Sequence, residues 1–592
     1  MTDEFLEVRV DEGSYLCQKN EPLAVCLYRN GVKSFNMGFK SLRPRGLTNL
    51  EWWIPERVQS EEDAFVNPYA GIDKGKLSFY TPKTSLVHRS LTRVLRHFID
   101  SEFPHRTMIR KRPFWSLASR YLRKTLPHPL PRKATGERTK QTSLEVDALV
   151  VGSGIAGTSF ALKFKQLGGK VAVIEGDHFC GGHAIYDNSI VHDLSKSGRD
   201  YAENLVKTAE YEGVPFFADV VFDGFLEDGA LLVKLGGLRA DAPVLLKANF
   251  FVFASGLRDL PSLFGNNDLP GHLVASAALK LTNYYGVTLG KKGLVIGNNE
   301  YAARTALQLE KIGAGVTLIT GHESMRGVRD EYLTGLQEEG VEMVTRVADI
   351  RAEGTREVQR AYVDGKRIEA DFIVSAESWS PALEVLGQVA LPMGYSSWMD
   401  CMLPMHGWYG ETGDPSVIVV GRSSGILDEC ASSAFAEATA YFVANKLKLG
   451  ANENEANSRL KEAKEAFNKR YHENFEAYCR LADCFQRGEV LEEPGRKAVY
   501  SEDRRRVFVC YCEDVTMNDI YRAVKHHGFE DIELVKRYTG LGTGKCQGKR
   551  CLANATYAIS NLTGKRPSVT GIFRQRPMVV TTSLESLMAI EP

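Results

Sequence analysis

Residues 146–177 read VDALVVGSGIAGTSFALKFKQLGGKVAVIEGD, and the order strand, glycine turn, helix, strand within them decides the fold. Gly152, Gly154 and Gly157 fit G-x-G-x-x-G directly after the apolar run Ala148 to Val151. Gly152 permits the sharp exit from the strand, Gly154 lets backbone approach a pyrophosphate, and Gly157 lets the helix pack close to the sheet. The helix start offers free N–H groups and the positive end of its dipole to phosphates. Glu175 closes the second strand at the spacing where a carboxylate accepts both ribose hydroxyls, which selects against a 2′-phosphate. The expected cofactor-binding residues are therefore Gly152, Ser153, Gly154, Ile155, Ala156, Gly157 and Glu175, joined by Gly182 in HFCGGHA and Gly256 in FFVFASGLRDLP.

A second unit, KKGLVIGNNEYAARTALQLEKIGAGVTLIT at 291–320, keeps the same rhythm with a degraded turn. Asn299 replaces the second glycine, and Glu300 is expected to face incoming phosphates with a negative charge. The fold is kept there and pyrophosphate binding impaired. Between the units, Phe250 to Pro261 resembles the Ala-Thr-Gly return strand of flavoproteins with two dinucleotide domains. After the later strand Val417 to Val420, such flavoproteins usually carry Gly-Asp, the Asp contacting the flavin's ribityl or pyrophosphate part. Here the residue is Arg422. FAD is the first expectation for the glycine turn at 152–157, and NAD the alternative.

The surroundings fit this α/β core. A chain of 592 residues has room for roughly three to five domains. Lys+Arg and Asp+Glu both number 74, so the formal net charge is zero, which argues against nucleic acid or an anionic membrane as main partner. With 43% hydrophobic and 25% charged residues, wholesale disorder is excluded. No apolar run approaches the ~20 residues that span a bilayer. The amino end, MTDEFLEVRVDEGSY, is read as lacking a secretory signal, and a reducing cytoplasm is the expected compartment. Between Lys83 and Lys140 many Lys and Arg, with Phe98, Phe103, Phe114, Trp115 and Tyr121 among them, could line a single-strand nucleic-acid groove. Overall neutrality favours an arm that docks on acidic protein surface.

Cysteines carry the second chemical signal. Cys510 and Cys512 form C-x-C, and Cys546 and Cys551 form C-x-x-x-x-C within GTGKCQGKRC. Two close pairs of thiolates can enclose a small metal centre. C-x-C is cramped for a zinc knuckle and suits two sulfurs on one iron of a 2Fe–2S cluster; zinc and plain structural thiols remain open. Gly540, Gly542, Gly544 and Gly548 suit a backbone whose amides turn towards cluster sulfurs. Cys17 and Cys26 lack the plant-type ferredoxin spacing, and Cys180 has no second cysteine near enough in sequence for a redox disulfide. Cys401, Cys430, Cys479 and Cys484 read as core or surface residues, and His183 and His192 as structural.

Three stretches together resemble the large α subunit of heteromeric sarcosine oxidases and the related proline dehydrogenases and opine oxidases. They are GVKSFNMGFKSLRPRGL (31–47), with Arg43-Pro44-Arg45-Gly46 as marker; SLFGNNDLPGHLVASAALKLTNYYGV (262–287) followed by LVIGNNEYAARTAL; and the cysteine module from Cys512 to Cys551. The resemblance implies two Rossmann-like domains of the glutathione/thioredoxin-reductase kind, a ferredoxin-like β-rich start and a small helical, BFD-like 2Fe–2S domain. The implied layout is 1–66 ferredoxin-like without cluster cysteines, 67–143 a basic Pro-rich arm, 144–284 with 372–446 the first dinucleotide domain, and 285–371 the second. A helical linker at 447–505, the 2Fe–2S domain at 506–565 and a tail at 566–592 follow. On the resemblance, the chain passes electrons from an FAD-containing β subunit, which oxidises the C–N bond of an amine, through its own nucleotide or flavin and the cluster. Small further subunits and an FMN at a subunit interface belong to that expectation, and no catalytic residue is named on this chain. Cluster cysteines without a following folate-binding region imply a dehydrogenase more than an oxidase. A self-contained FAD- and NAD(P)H-dependent reductase and a structural subunit that merely retains nucleotide are the alternatives.

Overall fold

Strand Leu144–Val151 sits near the centre of the first sheet, with Ala148, Leu149 and Val150 wholly buried. Unbroken apolar runs of this kind are what a parallel sheet covered on both faces requires. The chain leaves the strand through the glycine turn, forms helix Ile155–Gln166, and returns in Val171–Ile174, parallel to the first strand with Ala148 opposite Val171. On the other side, Val244–Phe253 runs parallel to Leu144–Val151 from Leu246 to Phe253. The outer edge of that long strand is shared. Its first half pairs with the antiparallel strand Gly229–Lys234, and its last residues pair in parallel with Val417–Val419. The late return of Val417–Val419 delivers Gly421 and Arg422 to the glycine turn, where a Cβ on Gly421 would lie 2.5 Å from that of Ala156.

The computed structural model describes residues 5–580 apart from 11, 39–40, 42, 54–57, 61–64, 67–68, 70–75, 80–143, 192–195, 227–228, 235–243, 494–497 and 577. Most of the basic arm expected at 67–143, His192, and the tail past 580 lie outside the described residues.

The second sheet is parallel throughout, in the order His272–Val274, Phe372–Ser375, Lys292–Ile296, Gly315–Ile319, Glu342–Val344. It reaches past the expected 285–371 on both sides. The expected bounds place His272–Val274 and Phe372–Ser375 in the first domain, yet both strands are fully buried in the second sheet. Runs as short as HLV and FIVS carry no sign of which sheet they will join. The antiparallel strands Ile350–Glu353, Arg360–Val363 and Lys366–Glu369 close one side of this domain around Ile350, Ala361 and Val363.

The expected linker is a packed layer. Helices Glu453–Arg470 and His472–Gln486 fold against Glu429–Lys446, with Phe435, Phe467 and Tyr478 in their common core. At the amino end, Phe5–Val10, Gly13–Gln18, Val58–Ser60, Phe65–Val66 and Lys76–Phe79 form a five-stranded sheet with helix Leu23–Arg29 beside it. Cys17 and Cys26 are joined there in a disulfide, a pairing that the spacing did not suggest. The carboxy-terminal module is a short hairpin, Phe508–Cys510 with Val515–Thr516, followed by helices Met517–Lys525, Ile532–Thr539 and Leu552–Thr563. Among the described residues no helix is long and apolar enough to cross a membrane.

Candidate functional site

The first glycine turn opens into a crevice of ≈ 1000 Å³ lined by Gly152, Gly154, Glu175, Gly182 and Gly256. Gly152 stands at φ +108, and a Cβ on it would lie 2.5 Å from the Ala254 carbonyl oxygen, so only glycine fits. A Cβ on Gly157 would lie 2.1 Å from the Gly152 oxygen, which is the close helix-on-strand approach the motif requires. Gly154 differs: its Cβ would meet nothing nearer than 4.0 Å, leaving its backbone bare to the crevice. The side chains of Ser153, Ile155 and Ala156 turn away from the crevice. Ser153 donates from its N–H (3.0 Å) and hydroxyl (2.7 Å) to Glu175, Ile155 packs beside Ala184 and Ile185, and Ala156 meets Gly421. Glu175 also accepts the Asp177 N–H at 3.0 Å, and burial pushes its carboxyl above the ordinary range.

Several lining residues come from outside the motif. Lys280, 1% exposed, donates to Asp177 at 2.7 Å and to the Leu50 carbonyl at 3.1 Å, with Glu51 3.6 Å away. Burial works against its ammonium, but Asp177 and Glu51 outweigh that, and its pKa stands above the usual lysine value. Burial likewise raises the Glu51 carboxyl, to about 7. Trp52 packs against Gly176 on one side, while Lys549, between Cys546 and Cys551, lies 5.7 Å from its ring. Arg258 pairs with buried Glu384 at 2.5 Å beside the same tryptophan. Asp177 could have been found from the second acid in the quoted IEGD; Arg258 and Lys280 lie inside the quoted stretches 250–261 and 262–287, where nothing local marks them as lining, and Trp52 belongs to no quoted motif.

The second turn is filled by its own residues. The Asn299 side chain caps helix Glu300–Lys311 by accepting the Ala302 N–H at 3.0 Å. Glu300 does not present a bare charge as expected: Arg329 grips it at 2.6 and 2.8 Å. The Arg326 N–H donates to the Asn298 carbonyl at 2.5 Å, folding the following loop over the turn. Nearby, Asp187 and Glu429 share the Arg304 guanidinium, with His183 3.9 Å from Glu429, so a cation of the chain already sits between the two acids. Arg422 lines both this cleft and the first crevice, its guanidinium 5.5 Å from the Tyr301 ring and 5.9 Å from Trp379.

The four module cysteines are brought together. Side-chain hydrogen bonds link Cys551 to Cys510, Cys510 to Cys512 and Cys512 to Cys546. Cys510, Cys546 and Cys551 are buried, and the Cys510 neighbour pushes the Cys512 thiol up to about 12. The Gly542 N–H reaches Cys551 and the Arg550 N–H reaches Cys546. A Cβ on Gly544 would lie 2.4 Å from the Cys512 Cβ, so the cysteine loop passes too close for any other residue. Thiols crowded in a buried quartet, with backbone amides aimed at sulfur, form a donor set that suits a metal able to displace their protons. Cys180, Cys401, Cys430, Cys479 and Cys484 lie elsewhere as free thiols.

Residues 504–591 match the sarcosine oxidase A3 domain, and residues 146–400 match the pyridine nucleotide-disulphide oxidoreductase family. Sarcosine oxidase subunit alpha of Rhizobium meliloti (strain 1021) is 24% identical over 96% of this chain and 56% of its own length. The chain is similar to the sarcosine oxidase α subunits over nearly its whole length. A second such subunit, from Corynebacterium sp. (strain P-1), is 23% identical over 71% of this chain and 43% of that protein. The chain thus spans about half the length of these relatives. Crystallographic L-proline dehydrogenase from P. horikoshii superposes with a TM-score of 0.69, covering 99% of this chain and 97% of that one at 18% identity, which establishes a shared fold. The α/β architecture with two Rossmann-like domains is therefore that of a known assembly of domains.

Proposed function

We propose that this chain is the electron-transferring α subunit of a heteromeric, flavin-dependent oxidoreductase that acts on the CH–NH bond of an amine or amino acid. In that complex a partner β subunit with its own FAD would oxidise the substrate. Support comes from relatives named as sarcosine oxidase subunits and from the proline dehydrogenase fold. The observation that carries the proposal is the mutual contact of Cys510, Cys512, Cys546 and Cys551, on a module whose Lys549 lies 5.7 Å from the ring of Trp52, a residue that lines the first crevice.

FAD, or NAD in its place, would lie along Gly152, Gly154, Gly182 and Gly256, its diphosphate against the first amides of helix Ile155–Gln166 and a ribose near Glu175. The four cysteines would hold a 2Fe–2S cluster. A flavin beside such a cluster supplies the exchange between a two-electron carrier and one-electron steps. This chain's own residues would fix geometry there: Arg258 pairs with Glu384 and lies 5.8 Å from the ring of Trp52, which lines the crevice. An FMN at the interface with the partner completes the proposal, with no residue of this chain assigned to it. A self-contained NAD(P)H reductase is opposed by the Asn299 cap and the Glu300–Arg329 pair, which occupy the place of a second pyrophosphate.

The test is to purify the chain with whatever polypeptide accompanies it, record its visible spectrum, and assay iron, acid-labile sulfide and the mass of the released nucleotide. About two irons and two sulfides per chain are expected. A colourless preparation loaded with zinc, or rapid bleaching by NADH without a partner, would overturn the proposal.

A further inference from the structure

Three stretches far apart in sequence meet behind the C-x-C hairpin. Arg45, buried to 4% exposure, forms ion pairs with Asp268 through one guanidinium nitrogen and with Asp514 through another. Arg45 and Asp514 are 469 residues apart in the chain. Asp514 follows Cys512 by two positions and stands at φ +51, a left-handed conformation that its fixed carboxylate holds. The Ser41 N–H donates to the same carboxylate at 2.8 Å. The Arg45 guanidinium also lies 4.5 Å over the Phe508 ring, two residues before Cys510. From the other side, the Asn267 side chain holds both backbone groups of Phe508, at 2.8 and 2.9 Å, and the Asn267 backbone carbonyl accepts the Tyr511 hydroxyl at 2.7 Å. Arg43 takes the remaining capacity of Asp268, at 2.7 and 2.9 Å.

We propose that Arg45 is a positioning residue for the four-thiol site: by bridging Asp268 and Asp514 it fixes the turn that carries Cys510 and Cys512, so the amino-terminal segment sets where two of the four sulfurs stand. The inference rests on the metal-site reading above. Cys546 and Cys551 lie on a separate loop that leads into helix Leu552–Thr563 and meets the hairpin through the thiol contacts and through Arg550 over the Tyr511 ring. A loss of the clamp therefore acts first on the pair that the hairpin carries. Removing Arg45 alone strands a buried carboxylate, which is costly to the whole fold. The double variant Arg45→Met/Asp514→Asn removes one charge of each sign, keeps an acceptor for Ser41, suits the left-handed position, and leaves Asp268 paired with Arg43. Arg45→Lys keeps the charge without a fork that spans two carboxylates.

The experiment uses the full chain, first as purified and then stripped of metal. Iron per chain is assayed, alkylation of each cysteine is timed by mass spectrometry, and amide hydrogen exchange is followed across 507–516. In the metal-free double variant, Cys510 and Cys512 should alkylate at least about tenfold faster while Cys546 and Cys551 change less than about twofold. Exchange across 507–516 should rise in parallel, bound iron should fall below about half, nucleotide content should not change, and Arg45→Lys should fall between. Equal acceleration of all four thiols would overturn the inference in favour of general destabilisation. Unchanged thiols and exchange would overturn it outright. Wild-type protein that takes up no metal would sink the metal-site reading, while the alkylation pattern of the stripped chain would still decide the role of Arg45.

Discussion

The two strand–turn–helix units share a backbone plan and differ in what occupies the turn. At Gly152–Gly157 the crevice side of the turn is bare: a side chain on Gly154 would meet nothing within contact distance. At Gly297–Ala302 the same space is taken by the chain itself, with Asn299 satisfying a helix amide, Arg329 neutralising Glu300 and the Arg326 backbone tied to Asn298. A helix N-terminus attracts phosphate because its amides lack partners. Once a side chain supplies the partner, the fold survives and the anion site does not. The two turns thus differ in how much free backbone they offer an anion.

The largest effect should come from placing a charge in the open turn. Gly154 is at φ −62, so an L-residue is allowed, its Cβ would meet nothing nearer than 4.0 Å, and Gly154→Asp would add a carboxylate at the crevice lining. Like-charge contact with a diphosphate costs several kcal/mol, so nucleotide retention should drop at least about a hundredfold. Spectra of the released cofactor measure this, and thermal unfolding in the presence of excess wild-type ligand should become ligand-independent. Undiminished nucleotide in Gly154→Asp would mean the crevice is not the binding site.

The closed turn can be broken in the opposite sense. Glu300→Ala leaves Arg329 and Arg304 without their shared acid in a mostly buried place, a loss of about 3 kcal/mol by the cost of splitting such pairs. Arg304 stays held by Asp187 and Glu429, so Arg329 is the cation freed to face the turn, and NADH binding beyond that of wild type should appear by calorimetry. A stable variant with no gain of binding would show that the cap and not the ion pair closes the turn.

How far this contrast was legible depends on where each residue lies. The glycines at 152, 154 and 157 and the substitutions at 299 and 300 stand inside motifs, so the open and the closed turn could both be seen in the chain. The partner of Glu300 could not, because Arg329 lies 29 residues on, in a loop without periodicity. The four cysteines were legible from spacing, while Arg45 was visible only as a marker of resemblance; its link to Asp514 needs folding across nearly the whole chain. Lys280 would be read from sequence as a surface residue, since nothing local announces the buried Asp177 and Glu51 that retain it. The strands at 272–274 and 372–375 were misassigned because short apolar runs fit either sheet, and only pairing chooses.

The crevice side also carries a pH signature. Burial raises the Glu51 carboxyl to about 7, against the pull of Lys280 and with Asp177 adding to it, while Arg258 and Asp259 also face it. An acid whose folded-state pKa lies above its unfolded value binds a proton more tightly when folded. Between about pH 4.5 and 7 unfolding therefore releases a proton, and stability falls as pH rises through that window, by at most about 1.4 kcal/mol per unit from this group. Denaturant titrations at pH 5, 6 and 7 on wild type and Glu51→Gln should show a slope in the first that flattens in the second. Equal slopes would assign the dependence to other groups.

The smallest effect isolates the cap. Asn299→Ala removes the acceptor for the Ala302 N–H and should cost about 1 kcal/mol of stability, whereas Asn299→Gly should cost only a few tenths, since glycine tolerates an N-cap position that alanine does not. Neither change touches the Glu300–Arg329 pair, so neither should let NADH bind if that pair alone is enough to exclude phosphate. Should Asn299→Gly bind NADH while Glu300→Ala does not, closure would rest on one amide hydrogen bond, and a single substitution would separate the supporting domain from a working one.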